Sequence, residues 1–158
     1  QNFQANLKTV PFPIVHLATH GQFSSRLENT FILTWDGRLN INELKDVLQA
    51  SAVRAKEPLE LLVLSACETA AGDNRAALGL AGMAVRAGAR STIATLWQVN
   101  DASSAIAMEH LYRELAQPNR TKAEALRQTQ LSLLKNTQSP EFRHPYYWAA
   151  YVLTGNWQ

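Results

Sequence analysis

The fold is decided by two stretches of sequence: residues 15–21 read VHLATHG, and residues 62–69 read LVLSACET. Each begins as an apolar run typical of a buried strand and ends abruptly on small and polar residues. The first closes on His20 and Gly21, and the second closes around Cys67, the only cysteine of the chain. If the two strands lie side by side and parallel, their carboxyl ends bring imidazole and thiol to one edge of the sheet. A cysteine nucleophile with a histidine base requires that arrangement.

The pattern around these two strands alternates between strand and helix. Predicted strands cover residues 14–19, 59–66, 91–97 and 147–153, and residues 31–35 and 38–41 form a hairpin about an Asp-Gly turn. Predicted helices cover residues 42–50, 76–87, 102–116 and 121–135, the last opened by a capping box. Such alternation implies right-handed crossovers and a mostly parallel central sheet with helices on both faces, so the predicted class is α/β.

Size and composition exclude some classes of function. The 158 residues, 46% hydrophobic and 18% charged, suit one domain, 1–158, with a real core. A net charge of +2 with scattered basic residues argues against nucleic acid and against a membrane surface as partners. We expect no signal peptide, and a single cysteine excludes an internal disulfide, so we expect a cytoplasmic location. Because the chain opens on Gln1, we expect it to be the C-terminal portion of a longer one.

The backbone beside the predicted pair offers a place for an oxyanion. Gly21 has no side chain, so its N–H can approach a substrate carbonyl closely, and the N–H of Cys67 is a second candidate donor. A protonated His20 and nearby backbone N–H groups would lower the pKa of the Cys67 thiol from about 8.5. We expect Ser65 and Thr69 to support this arrangement through hydrogen bonds, and His16 to be buried and structural.

The sequence allows two roles for each of two acidic residues. Asp101, ahead of the predicted long helix, is either its N-cap or a carboxylate that pairs with an arginine side chain of a substrate. Glu68, directly after Cys67, either does similar work or faces water.

Several motifs, in order, resemble the CHAT domain, a caspase-like module associated with tetratricopeptide repeats and common in bacteria. They are HLATHG at 16–21, LSACETA at 64–70, GL at 79–80 with AGA at 87–89, TLWQVND at 95–101, and HPYYWAAY at 144–151. The resemblance covers nearly the whole chain. It implies a caspase-like three-layer α/β/α sandwich and a thiol protease related to caspases and separase, with His20 as base and Cys67 as nucleophile. It also implies that Trp97 and Asp101 bind substrate and that cleavage follows a basic residue.

The partners expected from this resemblance are a polypeptide substrate and a tetratricopeptide region or regulatory protein, with no cofactor. One alternative is a catalytically silent caspase-like scaffold that binds protein partners. A zinc site formed by His16, His20 and Cys67 lacks paired-ligand spacings. A nucleotide-binding domain would need a phosphate-cradling glycine loop, for which the sequence offers no motif.

Overall fold

The computed structural model describes residues 12–19, 21–23, 30–35, 37–65, 68–69, 82, 84–85 and 88–158. His20 and Cys67 lie outside these ranges, as do Asp36, the predicted loop at 72–75 and most of the predicted helix at 76–87. Of that helix, residues 82, 84 and 85 are described and are helical.

Eight strands are described. In chain order they are β1 (Ile14–Leu17), β2 (Gly21–Phe23), β3 (Phe31–Thr34), β4 (Gly37–Asn40), β5 (Leu61–Leu64), β6 (Glu68–Thr69), β7 (Ser91–Thr95) and β8 (Tyr151–Gly155). They form a main sheet in the order β1-β5-β7-β8 and a second sheet in the order β4-β3-β2-β6. In the main sheet, β1, β5 and β7 are parallel and β8 runs antiparallel to β7. This confirms the predicted α/β class with a mostly parallel central sheet.

Capping residues begin the longer helices. The described helices are α1 (Ile41–Ala55), α2 (Asp101–Leu115), α3 (Lys122–Leu134) and the single turn α4 (Pro145–Trp148), preceded by a 3-10 turn at Pro140–Arg143. Asn40 closes a capping box with Glu43 at the start of α1, and Thr121 closes the predicted one with Glu124 at the start of α3. Each box satisfies N–H groups that the first turn of a helix leaves without partners.

The main sheet is covered on both faces. A first core cluster joins alternate residues of β1 and β5, including Leu17, Leu62 and Leu64, to apolar side chains of α1. A second core cluster joins the other residues of β5, including Leu61 and Val63, to α2 and α3. Because both faces of β5 are buried, its sequence is a continuous apolar run rather than an alternating one.

The end of the chain differs from the prediction. Residues 147–153 were expected to form one strand, whereas β8 covers Tyr151–Gly155 and the preceding residues form α4. Pro145 occupies the first turn of α4, and the ring nitrogen Nδ1 of His144 accepts a hydrogen bond from the Tyr146 N–H at 3.2 Å. A proline at that position and a side-chain cap favour a helical turn over the strand propensity of the aromatic residues.

Candidate functional site

The strands that lead to His20 and Cys67 are direct neighbours. β1 and β5 pair in parallel, with Leu17 opposite Leu64, so both reach their carboxyl ends at the same level. The contact continues one residue further, because the Ser65 N–H donates to the Leu17 carbonyl at 3.3 Å. The predicted side-by-side arrangement of the two strands is therefore confirmed.

The chain segments beyond these strand ends meet again in the second sheet. There β2 and β6 pair in parallel, with Gln22 opposite Glu68. Gly21, the predicted oxyanion donor, is buried in β2 opposite Ile32 of β3. Neither β2 nor β6 is predicted from the sequence. Two pairings therefore join these segments, Leu17 with Leu64 and Gln22 with Glu68. In sequence, His20 and Cys67 lie between the two.

A hydrogen bond between side chains links the same two segments just before those positions. His16 Nε2 lies 2.7 Å from Ser65 Oγ, and the His16 ring lies 5.7 Å from the ring of Tyr112 on α2. Burial lowers the pKa of His16 below its ordinary value of 6.5, so the imidazole is neutral at neutral pH. Ser65 therefore forms a side-chain hydrogen bond, and its partner is His16.

Asp101 does not cap α2. The N-cap is Asn100, whose side chain accepts a hydrogen bond from the Ser103 N–H at 3.1 Å, and Asp101 is the first helical residue. The N-cap interpretation of Asp101 is therefore wrong. Its side chain is exposed, and it has no ion pair or hydrogen bond with any residue in the described part of the chain.

Trp97 is held between β7 and α4. Its indole N–H donates to the Tyr146 carbonyl at 2.9 Å, and the two rings stack with their centroids 6.5 Å apart. The Tyr146 hydroxyl in turn donates to the Gln98 carbonyl at 2.8 Å. These contacts fix the backbone between β7 and Asp101, but they occupy the only polar group of the Trp97 side chain.

A cavity that the sequence does not predict lies beside the end of β1. It measures about 270 Å³ and lies between residues 16–19 and the β3–β4 hairpin. The predicted hairpin is present, but its turn was predicted at Asp36-Gly37, whereas Gly37 lies in β4 and pairs with Thr34. No pattern in the sequence signals the cavity, because it forms between segments that are distant along the chain.

Among the described residues, no group of three or more His, Cys, Asp and Glu side chains gathers as metal ligands would. His20 and Cys67 are not among those residues, so the zinc alternative is not tested. None of the described helices combines the length and the apolar character needed to cross a membrane.

Comparison with known families gives a match that covers almost the whole chain. The family model of the CHAT domain matches residues 1–156. A search of curated proteins finds no significant match. The CHAT family consists of caspase-like, protease-related domains, in agreement with the α/β architecture and the parallel strands described above. The chain therefore belongs to the CHAT domain family.

Proposed function

We propose that this chain is a cysteine endopeptidase of the caspase type, with Cys67 as nucleophile and His20 as base. The observation that carries the proposal is the double pairing of the two chain segments. They pair at Leu17 and Leu64 and again at Gln22 and Glu68. Consecutive Cα atoms are 3.8 Å apart, so the few residues between these pairings have little length in which to separate. This supports a short distance between the imidazole and the thiol.

The proposed reaction has two halves. The Cys67 thiolate attacks the substrate carbonyl carbon, and the N–H groups of Gly21 and Cys67 stabilise the negative oxygen. The carbon–nitrogen bond then breaks, protonated His20 gives its proton to the leaving amine, and a thioester remains on Cys67. In the second half, neutral His20 takes a proton from water as the water attacks the thioester. The carbon–sulfur bond then breaks, the acid product leaves, and the thiolate and protonated imidazole of the starting state are restored.

Asp101 is the proposed acid of the specificity pocket, which implies cleavage after arginine or lysine. Its carboxylate is exposed and unpaired among the described residues, so it is free to bind a guanidinium bidentately. It lies beyond β7, the strand that follows β5 in the main sheet. Trp97 holds the backbone of this segment through its contacts with Tyr146, and we propose that its ring forms one wall of the pocket. Glu68 is a second proposed substrate-binding acid.

Covalent labelling tests the nucleophile, the base and the specificity together. The probe is a peptidyl acyloxymethyl ketone with arginine next to the reactive carbonyl, and intact mass spectrometry measures the adduct. We expect one adduct, on Cys67, that is lost in Cys67→Ala and slowed at least about a hundredfold in His20→Ala. The same probe with aspartate in place of arginine is expected to react slowly.

Each other outcome has a definite meaning. If Cys67 reacts with iodoacetamide but with neither ketone, the chain is the scaffold alternative, and Cys67→Ala would bind partners as well as the unmodified chain does. If both ketones label Cys67 equally, the nucleophile stands but the basic specificity is wrong. If the arginine probe reacts faster, as expected, Asp101→Asn checks the pocket, because a basic pocket at Asp101 predicts that this variant loses the preference for arginine.

A further inference from the structure

The cavity beside β1 has an apolar floor and a partly exposed rim. The buried residues Leu17, Ile32 and Leu39 form the floor, and the exposed residues Leu33 and Trp35 form the rim. No Asp, Glu, Lys or Arg from the described part of the chain lines it. A charged side chain placed there would lose its hydration without gaining a partner of opposite charge, so the chemistry favours an apolar occupant.

The walls of the cavity are tied together by hydrogen bonds. The Thr19 hydroxyl donates to the Leu33 carbonyl at 2.8 Å, which joins the end of β1 to the hairpin. Within the hairpin, the Thr34 hydroxyl donates to the Gly37 carbonyl at 3.0 Å. A site with such fixed walls requires little ordering when a ligand binds.

The size of the cavity suits a single side chain. Pockets that enclose drug-sized ligands usually measure about 300–1,000 Å³. At about 270 Å³, this cavity is smaller than that range. A leucine, methionine or phenylalanine side chain fits within that volume.

Strand order shows on which side of the proposed pair, His20 and Cys67, the cavity lies. The second sheet runs β6-β2-β3-β4, so the hairpin lies beyond the segment of His20, on the side away from the segment of Cys67. Asp101 lies on the other side, beyond β7. Because the general acid must be next to the leaving nitrogen, the residue after the scissile bond leaves on the His20 side.

We propose that this cavity is a subsite for a large apolar side chain located one or two residues C-terminal to the scissile bond. The inference rests on the proposed peptidase activity and extends it to the substrate sequence on the leaving-group side. Trp35, at the rim, is fully exposed to solvent. Its side chain is therefore available to pack over the bound side chain of the substrate.

Two kinds of substrate separate this subsite from the activity itself. A peptidyl-arginine coumarin amide has no residue beyond the scissile bond and reports activity alone. Internally quenched peptides with the same sequence before that bond carry leucine or aspartate at the two positions after it. We expect kcat/KM about tenfold higher or more with leucine. In Trp35→Ala and Leu33→Ser this preference should fall below about threefold, because part of the apolar rim is lost.

The matched control is Trp157→Ala. Trp157 is also exposed, but it follows β8 at the opposite edge of the main sheet, so this variant should keep the full preference for leucine. If the coumarin amide is cleaved but leucine and aspartate peptides react equally, the subsite is wrong and the peptidase stands. A preference that survives in both rim variants also overturns the subsite. If no substrate is cleaved, the coumarin amide included, the proposed function fails and the subsite fails with it.

Discussion

At the scale of single residues, the hydrogen bond between His16 and Ser65 is the most informative contact near the site. It joins β1 to Ser65, the residue that follows β5, shortly before the two chain segments reach His20 and Cys67. The half-buried imidazole packs against the Tyr112 ring, and no carboxylate in the described part of the chain pairs with it. The native protein therefore favours the neutral form of His16.

This burial predicts a pH dependence of stability. Burial lowers the pKa of His16 in the native state, so in acid the unfolded chain takes up a proton more readily than the native one does. The contribution of His16 to the free energy of unfolding is therefore complete above pH 7 and decreases as the pH falls below about 6.5. In His16→Gln this contribution is absent at every pH. We expect the stability difference between the unmodified chain and the variant to be larger at pH 7.5 than at pH 5.5.

Urea unfolding at the two pH values measures that difference. Other titratable groups affect both proteins alike, so they cancel in the comparison. His110→Gln, which removes an imidazole from α2 instead, is the control for losing a histidine as such. A difference that stays constant or grows on acidification would show that His16 is not held neutral by the fold.

At the scale of secondary-structure elements, β7 contains two neighbouring hydroxyls in opposite situations. The Ser91 hydroxyl donates to the Glu60 carbonyl at 2.6 Å. Thr92 is fully buried on the other face, and its hydroxyl has no hydrogen-bond partner among the described residues. A buried polar group without a partner costs about 1–3 kcal/mol.

The two positions are expected to respond oppositely to loss of the hydroxyl. Thr92→Val keeps the shape of the side chain and removes an unsatisfied group, so we expect it to stabilise the fold by up to about 1 kcal/mol. Ser91→Ala removes a hydrogen bond and leaves a carbonyl without it, so we expect a loss of about 1–2 kcal/mol. Thermal or urea unfolding of the two variants in parallel provides the measurement. Destabilisation by Thr92→Val would show that its hydroxyl has a partner in solution, such as an ordered water molecule.

The elements also show which features can be predicted from the sequence. β5 is recognised because a strand buried on both faces is a continuous apolar run with definite ends. β7 is recognised by its β-branched residues Thr92, Ile93 and Thr95. The helix at Lys122–Leu134 is recognised because its capping box is local in the sequence. In contrast, β2 and β6 have three and two residues, too few for any periodicity. They are strands because they pair with each other and, for β2, with β3, and such pairing is not visible locally.

The candidate site, too, could be predicted from the sequence only in part. The parallel strands that end at His20 and Cys67 were predicted, because the carboxyl ends of parallel strands share an edge. The exposed Trp35 and the cavity next to it were not, because they depend on how a hairpin folds back over β1. The predicted N-cap of α2 was wrong by one residue, because Asn100 is the cap and Asp101 is the first helical residue. Asparagine suits the cap and aspartate suits the first turn, so the sequence alone does not separate the two positions.

At the scale of the whole molecule, β5 connects two layers of core. Leu61 contributes to the second core cluster and Leu64 to the first, and each is 1% exposed. Truncation of a buried leucine to alanine costs about 2–5 kcal/mol. Because one strand holds both layers, we expect Leu61→Ala and Leu64→Ala each to destabilise the entire domain in a single transition, whichever face loses its side chain.

Two probes of urea unfolding test this coupling. Trp97 and Trp148 pack against the second core cluster, so tryptophan fluorescence reports mainly on the α2 and α3 side, whereas far-ultraviolet circular dichroism reports on all the elements. The midpoints of the two probes should coincide in both variants and should be lower than in the unmodified chain. The decisive case is Leu64→Ala, whose side chain faces the α1 side. If its fluorescence midpoint stays at that of the unmodified chain while its circular dichroism midpoint falls, the two layers unfold separately. The strand ends beside His20 and Cys67 would then depend on one layer only.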